Sequence, residues 1–483
     1  MFRLKSKRLT KIIGTLDEDA LMYEDSIIRE MIESGIDIVR IELLHHNYKS
    51  YSALIDRLYS VAASMNSSIA TLLEIPANNR TLWVPSDYTV EKDRELTILV
   101  GKRDAQEYKE SEDEDEKIFI SINVLGTDIM EGQTIIFGDE VSGEIVSVNP
   151  DEIKVIIKND GVIYNRSRVY INGSCKYAMN FSEMQIKHLD FIAQTNADFI
   201  TFVFSNENFN EELAFLQEKL RGKDIKILCK IEKQLESEVL YEFIEKTNGI
   251  VIARYPMGAE MPIERICTYQ KEVIAACRQR AKPVLISGHV LGSLRNLPYP
   301  LRADACDVYN GVIDGIDGFV VCSEILQEDN WRNTLEMLTN ILATAESSIE
   351  YRSAFQKIWI ASIKPSIAES IASSAIKTCI ELEANYILCL AEHGRAPRLL
   401  SKYKPPVPII TISSLIKTVQ QSLIHRGTVP ILGEKLDYKQ ALTNAVEMIR
   451  ANTDRNCTVV VVTELLDSAK HFNEQMGVLT IEQ

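Results

Sequence analysis

Lys230 and Glu232 stand two positions apart in the run "CKIE", and the period-two geometry of a strand points both side chains to one face. Arg40 lies in "IVRIELLHH", a second apolar, β-branched run. Two cations carried on strands can clamp a small anion, a chemistry that works by stabilising charge rather than by nucleophilic attack. The plainer alternative for Lys230 is a lysine solvated at a strand end or paired with a neighbouring acid. No nucleophile with a nearby base is recognisable, and the histidines are scattered. A third run, "VIARYPMGAEMP" (251–262), reads as a buried strand that runs out into an arginine and a glycine-containing turn before a helix restarts. Pro256 brings to that loop neither a side-chain oxygen nor a backbone N–H.

The elements that must position these residues alternate along the chain. Short apolar runs at 11–15, 37–43, 68–75, 198–204, 226–232, 249–254, 283–287 and 318–324 are followed by amphipathic segments, except after the third. Eight such strands are the count of a (β/α)8 or TIM barrel. Residues 84–178 have strand alternation without helical periodicity and read as a small β-barrel domain inserted in a barrel loop, with the acidic run "ESEDEDEK" as a solvated loop tip. After Glu350 a second α/β alternation predicts a three-layer domain. The expected division is 1–83 with 179–350 for the barrel, 84–178 for the insertion and 351–483 for the C-terminal α/β domain.

The 483 residues, 46% hydrophobic and 25% charged, suffice for two or three cored domains. A formal net charge of -16 argues against a nucleic-acid or anionic-membrane surface, which needs basic patches. The N-terminal apolar stretch is too short for a signal peptide, and no run approaches a membrane span. Nine cysteines never form C-x-x-C and read as small core residues in a reducing, cytoplasmic setting.

The order of several blocks resembles the pyruvate kinase family over essentially the whole chain: "LTKIIGTL", "MIESGIDIVRIELLHH", "ILCKIEKQ", "GIVIARYPMGAEMP", "AKPVLISGHVLGSL", "LRADACDVYNGVIDGIDGFVVCSE" and, later, "GRAPRLLSKYKPPVPII". The resemblance implies glycolytic phosphoryl transfer from phosphoenolpyruvate to ADP, with magnesium, potassium and a tetrameric assembly. It assigns Lys230 to the transferring phosphoryl and the enolate, Arg40 to substrate phosphate, His45 and Arg80 to the nucleotide side, and Glu232 to magnesium. Glu324 keeps an acid of the family's turn after the last strand.

Other family positions have changed. The second magnesium carboxylate is Pro256, and the glycine before it is Tyr255, whose side chain is expected to fill the pocket. The potassium cage has Glu42 and Leu44 in place of asparagine and serine, and Glu74 and Ile75 in place of aspartate and threonine. Leucine and isoleucine cannot ligate a cation, so potassium is not expected to bind as in the family, and magnesium meets a weakened site. A threonine near the enolate is Gly288, with Ser287 or His289 beside it as substitutes. The effector loop is "EHGRAPR", without the hydroxyls that hold a sugar bisphosphate.

Three readings stay open. One is a pyruvate kinase with weak or altered activity, in which Glu42 or Glu74 supplies a charge at the potassium position. Another is a non-catalytic paralogue acting as a structural or regulatory subunit, as a homo-oligomer or with an active paralogue. The third is a barrel that holds a different small anion between Arg40 and Lys230.

Overall fold

The computed structural model describes residues 8–44, 47–76, 80–83, 87–100, 117–121, 129–138, 141–150, 152–164, 168–171, 181–205, 207–326, 330–362, 365–434, 438–451, 453, 456–466 and 472–482. The chain begins with β1 (Lys11–Thr15), α1 (Asp25–Glu33), β2 (Ile38–Glu42), α2 (Tyr48–Ser64) and β3 (Ala70–Glu74). It then leaves the barrel for β4 (Arg80–Trp83), β5 (Tyr88–Val90), β6 (Glu95–Val100), β7 (Lys117–Ser121), β8 (Thr134–Phe137), β9 (Val141–Val148), β10 (Glu152–Ile157), β11 (Gly161–Ile163) and β12 (Arg168–Ile171).

The barrel resumes with α3 (Glu183–Ile192), β13 (Phe199–Phe202), α4 (Phe209–Lys219), β14 (Lys226–Ile231), α5 (Ser237–Lys246), β15 (Gly249–Ala253), α6 (Arg254–Glu260) and α7 (Ile263–Gln279). It ends with β16 (Val284–Ser287), α8 (Arg302–Asp314), β17 (Gly318–Val321) and α9 (Asn330–Ser347). Its eight strands are all parallel and close in the order β1-β17-β16-β15-β14-β13-β3-β2, which is the (β/α)8 architecture.

Alternation along each strand sorts the side chains. Ile13, Ile38, Ala70, Leu72, Phe199, Leu228, Val251, Leu285 and Val320 form one buried cluster inside the barrel. The residues between them face outward into a second core shared with the helices. Two positions further along the same strand faces the interior turns polar: Leu72 is followed by Glu74, Ile38 by Arg40 and Glu42, and Leu228 by Lys230 and Glu232. One alternation therefore builds the apolar floor and places the charges above it, at the carboxyl ends of the strands.

Seven inserted strands close into a smaller barrel, β10-β6-β7-β4-β12-β8-β9, around Ile98, Phe137, Ile145 and Val155, with β5 and β11 as a separate pair. The C-terminal part comprises α10 (Tyr351–Ala361), α11 (Ile367–Glu381), β18 (Tyr386–Ala391), α12 (Arg395–Lys402), β19 (Ile409–Ser413), α13 (Ile416–Ser422), β20 (Thr428–Leu432), α14 (Tyr438–Ala451), β21 (Cys457–Leu466) and β22 (Phe472–Ile481). Its sheet runs β20-β19-β18-β21-β22 and is parallel except for the β21–β22 pair. Leu423 and Ile424, which follow α13, join the barrel's interior cluster and stop its amino-terminal end.

Candidate active site

β2, β3 and β14 carry the charges, and their registers bring them together. Arg40 pairs with Leu72 and Glu42 with Glu74 across β2 and β3. Arg40 Nε donates to Glu74 Oε2 at 2.7 Å and Arg40 Nη1 to Thr15 Oγ1 at 2.9 Å, while Nη2 donates to Glu42 Oε1. From the other side Lys230 Nζ donates to Glu74 Oε1 at 2.8 Å and lies 2.9 Å from Glu232 Oε1. Glu74 is thus the hub, each carboxylate oxygen taken by a different cation. Thr201 Oγ1 contacts the same carboxylate at 3.4 Å.

Arg40, Glu74, Lys230 and Glu232 are each no more than 6% exposed. Charges this deep persist only when paired, because desolvation of each ion is costly. Two cations against three carboxylates leave the chain Glu42–Arg40–Glu74–Lys230–Glu232 with one net negative charge. Both cations are matched by carboxylates of the chain itself, so the arrangement does not present a free cationic clamp.

The loop after β15 differs from the expected turn. α6 starts at Arg254 directly from the strand, so Tyr255 and Pro256 occupy its first turn. Proline is tolerated there because the first-turn N–H groups have no intrahelical partner. Pro256 is buried, where the family's carboxylate is expected. Arg254 donates to the Gly288 carbonyl at 2.8 and 3.2 Å and pairs with Asp307 at 2.5 Å, tying α6 to the turn after β16 and to α8.

That turn is conformationally unusual: Gly288, His289 and Leu291 have φ of +90°, +54° and +53°. A Cβ on Gly288 would lie 2.8 Å from the Tyr255 nitrogen. The threonine expected from the resemblance has no room here, and its left-handed backbone favours glycine. Ser287 is buried, and the exposed His289 packs edge-on against Tyr255 with centroids 5.1 Å apart.

A magnesium ion takes near-octahedral oxygen ligation, usually including one or two carboxylates. Glu232 Oε1 is buried and faces Lys230 without the alignment of a hydrogen bond. Pro256 supplies no side-chain oxygen, and the lysine ammonium already lies against both Glu74 and Glu232. Among the described residues no group of three or more His, Cys, Asp or Glu side chains is disposed to hold a metal. Of the two carboxylates the resemblance implies for magnesium, the chain keeps Glu232, with the Lys230 ammonium 2.9 Å from it. Leu44 is 47% exposed and Ile75 fully buried; neither offers a side-chain oxygen to a monovalent cation.

Glu324 is exposed on a 3-10 turn after β17, outside the buried charge chain. His45 and the side chain of Arg80 lie outside the described residues. The residue types single out Arg40, Lys230 and Glu232, and give Glu74 as a changed potassium position or a charge in place of that cation, not as the partner of both Arg40 and Lys230. The available signal was its register opposite Glu42 and one methylene of added reach. The contacts of Thr15 and Thr201 have no signal in the sequence.

The sequence matches the family described as "Pyruvate kinase, barrel domain" over residues 7–330, and the one described as "Pyruvate kinase, alpha/beta domain" over 369–479. It is 29% identical to a pyruvate kinase of Dictyostelium discoideum, across 98% of this chain and 94% of that one. It is also 28% identical to the Candida albicans enzyme, across 89% and 86%, and 27% identical to that of Bacillus licheniformis, across 84% and 68%.

Proposed function

The chain belongs to the pyruvate kinase family, and from that premise we propose that transfer of the phosphoryl group from phosphoenolpyruvate to ADP is weak or lost in it. The observation that carries this reading is the Glu74 carboxylate held between Arg40 and Lys230. Phosphoryl transfer depends on fixed cations that bind the moving group and neutralise charge as it develops. Here both cations are already satisfied by the chain's own carboxylates.

An incoming phosphate must displace Glu74 from two partners and then sit beside three carboxylates. The lost carboxylate at Pro256 removes a second contribution. Together these correspond to roughly two to four orders of magnitude in rate, by comparison with the removal of single preorganised electrostatic groups.

The test is a coupled assay for pyruvate from phosphoenolpyruvate and ADP, with magnesium or manganese, with and without potassium, and with Lys230→Met as control. The expected turnover is at least about 100-fold below ordinary kinase values of 1–100 per second. Family-level turnover that disappears in Lys230→Met would overturn the reading.

A second reading, a subunit with a structural or regulatory role in a homo-oligomer or with a paralogue, is favoured by exposed apolar side chains. Trp359, Ile360 and Ile367 on α10 and α11 are 56%, 75% and 83% exposed. Light scattering on the purified chain tests it: a monomer at micromolar concentration removes the homo-oligomer, and co-expression with an active paralogue tests the mixed assembly. No helix among the described residues is long and apolar enough to cross a membrane. The described cysteines are all free.

A further inference from the structure

Tyr255 reaches from the first turn of α6 into the inserted domain by two contacts. Its hydroxyl donates to the carbonyl of Gly138, the residue after β8. Its ring meets Tyr170 of β12 edge-on, with centroids 5.1 Å apart and planes at 81°. On the barrel side the same ring meets His289 at 5.1 Å and 72°. One side chain therefore joins β8 and β12 of the small barrel to the turn after β16 of the large one.

The base of this contact is held firmly. Arg254, next in the chain, is fastened to Gly288 and Asp307. The close approach of Gly288 to the Tyr255 nitrogen leaves α6 no slack against β16. A tyrosine has few rotatable bonds to lose, combines a large apolar face with a polar tip, and suits a contact that must span two bodies.

We infer that Tyr255 is a latch that holds the inserted β domain down on the barrel mouth, so that entry to the Arg40–Glu74–Lys230 chain requires this contact to break. A glycine at this position could make none of the three side-chain contacts. The inference goes beyond the catalytic reading: it concerns access to the mouth and holds whether or not the barrel turns substrate over.

Hydrogen exchange measured by mass spectrometry on the full chain, with small-angle scattering beside it, tests the latch. Removing the hydroxyl in Tyr255→Phe is expected to raise exchange at the β8 and β12 amides about fivefold, the effect of one hydrogen bond. Tyr255→Gly, which also removes both ring contacts, is expected to raise it roughly 30-fold or more and to increase the radius of gyration. Tyr170→Ala, entering from the opposite side of the contact, should give the same local pattern and add less than its own effect on top of Tyr255→Gly.

Exchange in β18 and β19 reports whether the rest of the fold is intact. If Tyr255→Gly leaves β8 and β12 at wild-type rates while folded, the latch is wrong. If that variant loosens β18 and β19 as well, Tyr255→Phe and Tyr170→Ala decide, and wild-type rates in both would overturn the inference.

Discussion

One added methylene at residue 74, glutamate where the family resemblance expects aspartate, lets a single carboxylate reach both Arg40 and Lys230. Its removal has two opposed consequences. Glu74→Gln leaves each buried cation with one carboxylate partner fewer, and truncating one member of a buried ion pair costs on the order of 3–5 kcal/mol. The same change brings the mouth from one net negative charge to none and frees two cations for an external anion. The expected outcome is a lower midpoint in urea together with phosphoenolpyruvate binding at least about tenfold tighter by calorimetry, the factor that corresponds to about 1.4 kcal/mol. Lys230→Met separates the two effects. It too loses stability, because Glu74 and Glu232 are left facing each other, but its anion binding does not improve. Tighter binding in both variants would show that the carboxylate chain does not govern the mouth.

α6 carries Tyr255 and Pro256 in its first turn, and it is the element least legible in the sequence. The barrel strands were readable because their β-branched runs and period-two alternation are local. Arg40, Lys230 and Glu232 could be placed because their residue types are exceptional on such strands. The strand expected to end at Arg254 and the glycine-containing turn expected after it give way to α6, because arginine and methionine suit a helix and Pro256 falls at a first-turn position where its missing N–H costs nothing. Partners such as Gly138 and Tyr170 lie on another domain, and no local pattern announces them. The helical start has a testable consequence. Restoring an acid by Pro256→Asp puts it on the first turn of α6, with Lys230 still held against Glu74 and Glu232. Turnover is expected to stay within about threefold of the parent chain, against the 10²–10³-fold ascribed to a correctly placed electrostatic group. A gain of that larger size would mean that proline alone, rather than the path of the loop, disables the site.

Across the whole molecule the barrel and the C-terminal domain are joined by a buried charged seam at the strands' amino ends. Asp317, which precedes β17, receives Lys404 Nζ at 2.7 Å, the Arg426 amide at 3.1 Å and the Val284 amide at 3.0 Å. Lys11 of β1 donates to the Thr428 carbonyl at 2.6 Å. His425 lies in this seam, buried, and its pKa is lowered to about 3, chiefly by desolvation; Asp317 opposes the shift, while Arg398, Lys404 and Lys11 reinforce it. In the unfolded chain an imidazole titrates near pH 6.5. A folded pKa below the unfolded one means that the unfolded state binds more protons between the two values, so stability is full above about pH 6.5 and falls as the pH drops towards 3. By pH 4 the loss from this one group is on the order of 2–4 kcal/mol. His425→Gln keeps a polar side chain of similar reach that cannot take up the proton. It is expected to be less stable than the parent at pH 7 and to lose less stability from pH 7 to 4, so the two urea midpoints converge on acidification. Parallel midpoints across that range would place the acid sensitivity of the seam elsewhere, in its carboxylates.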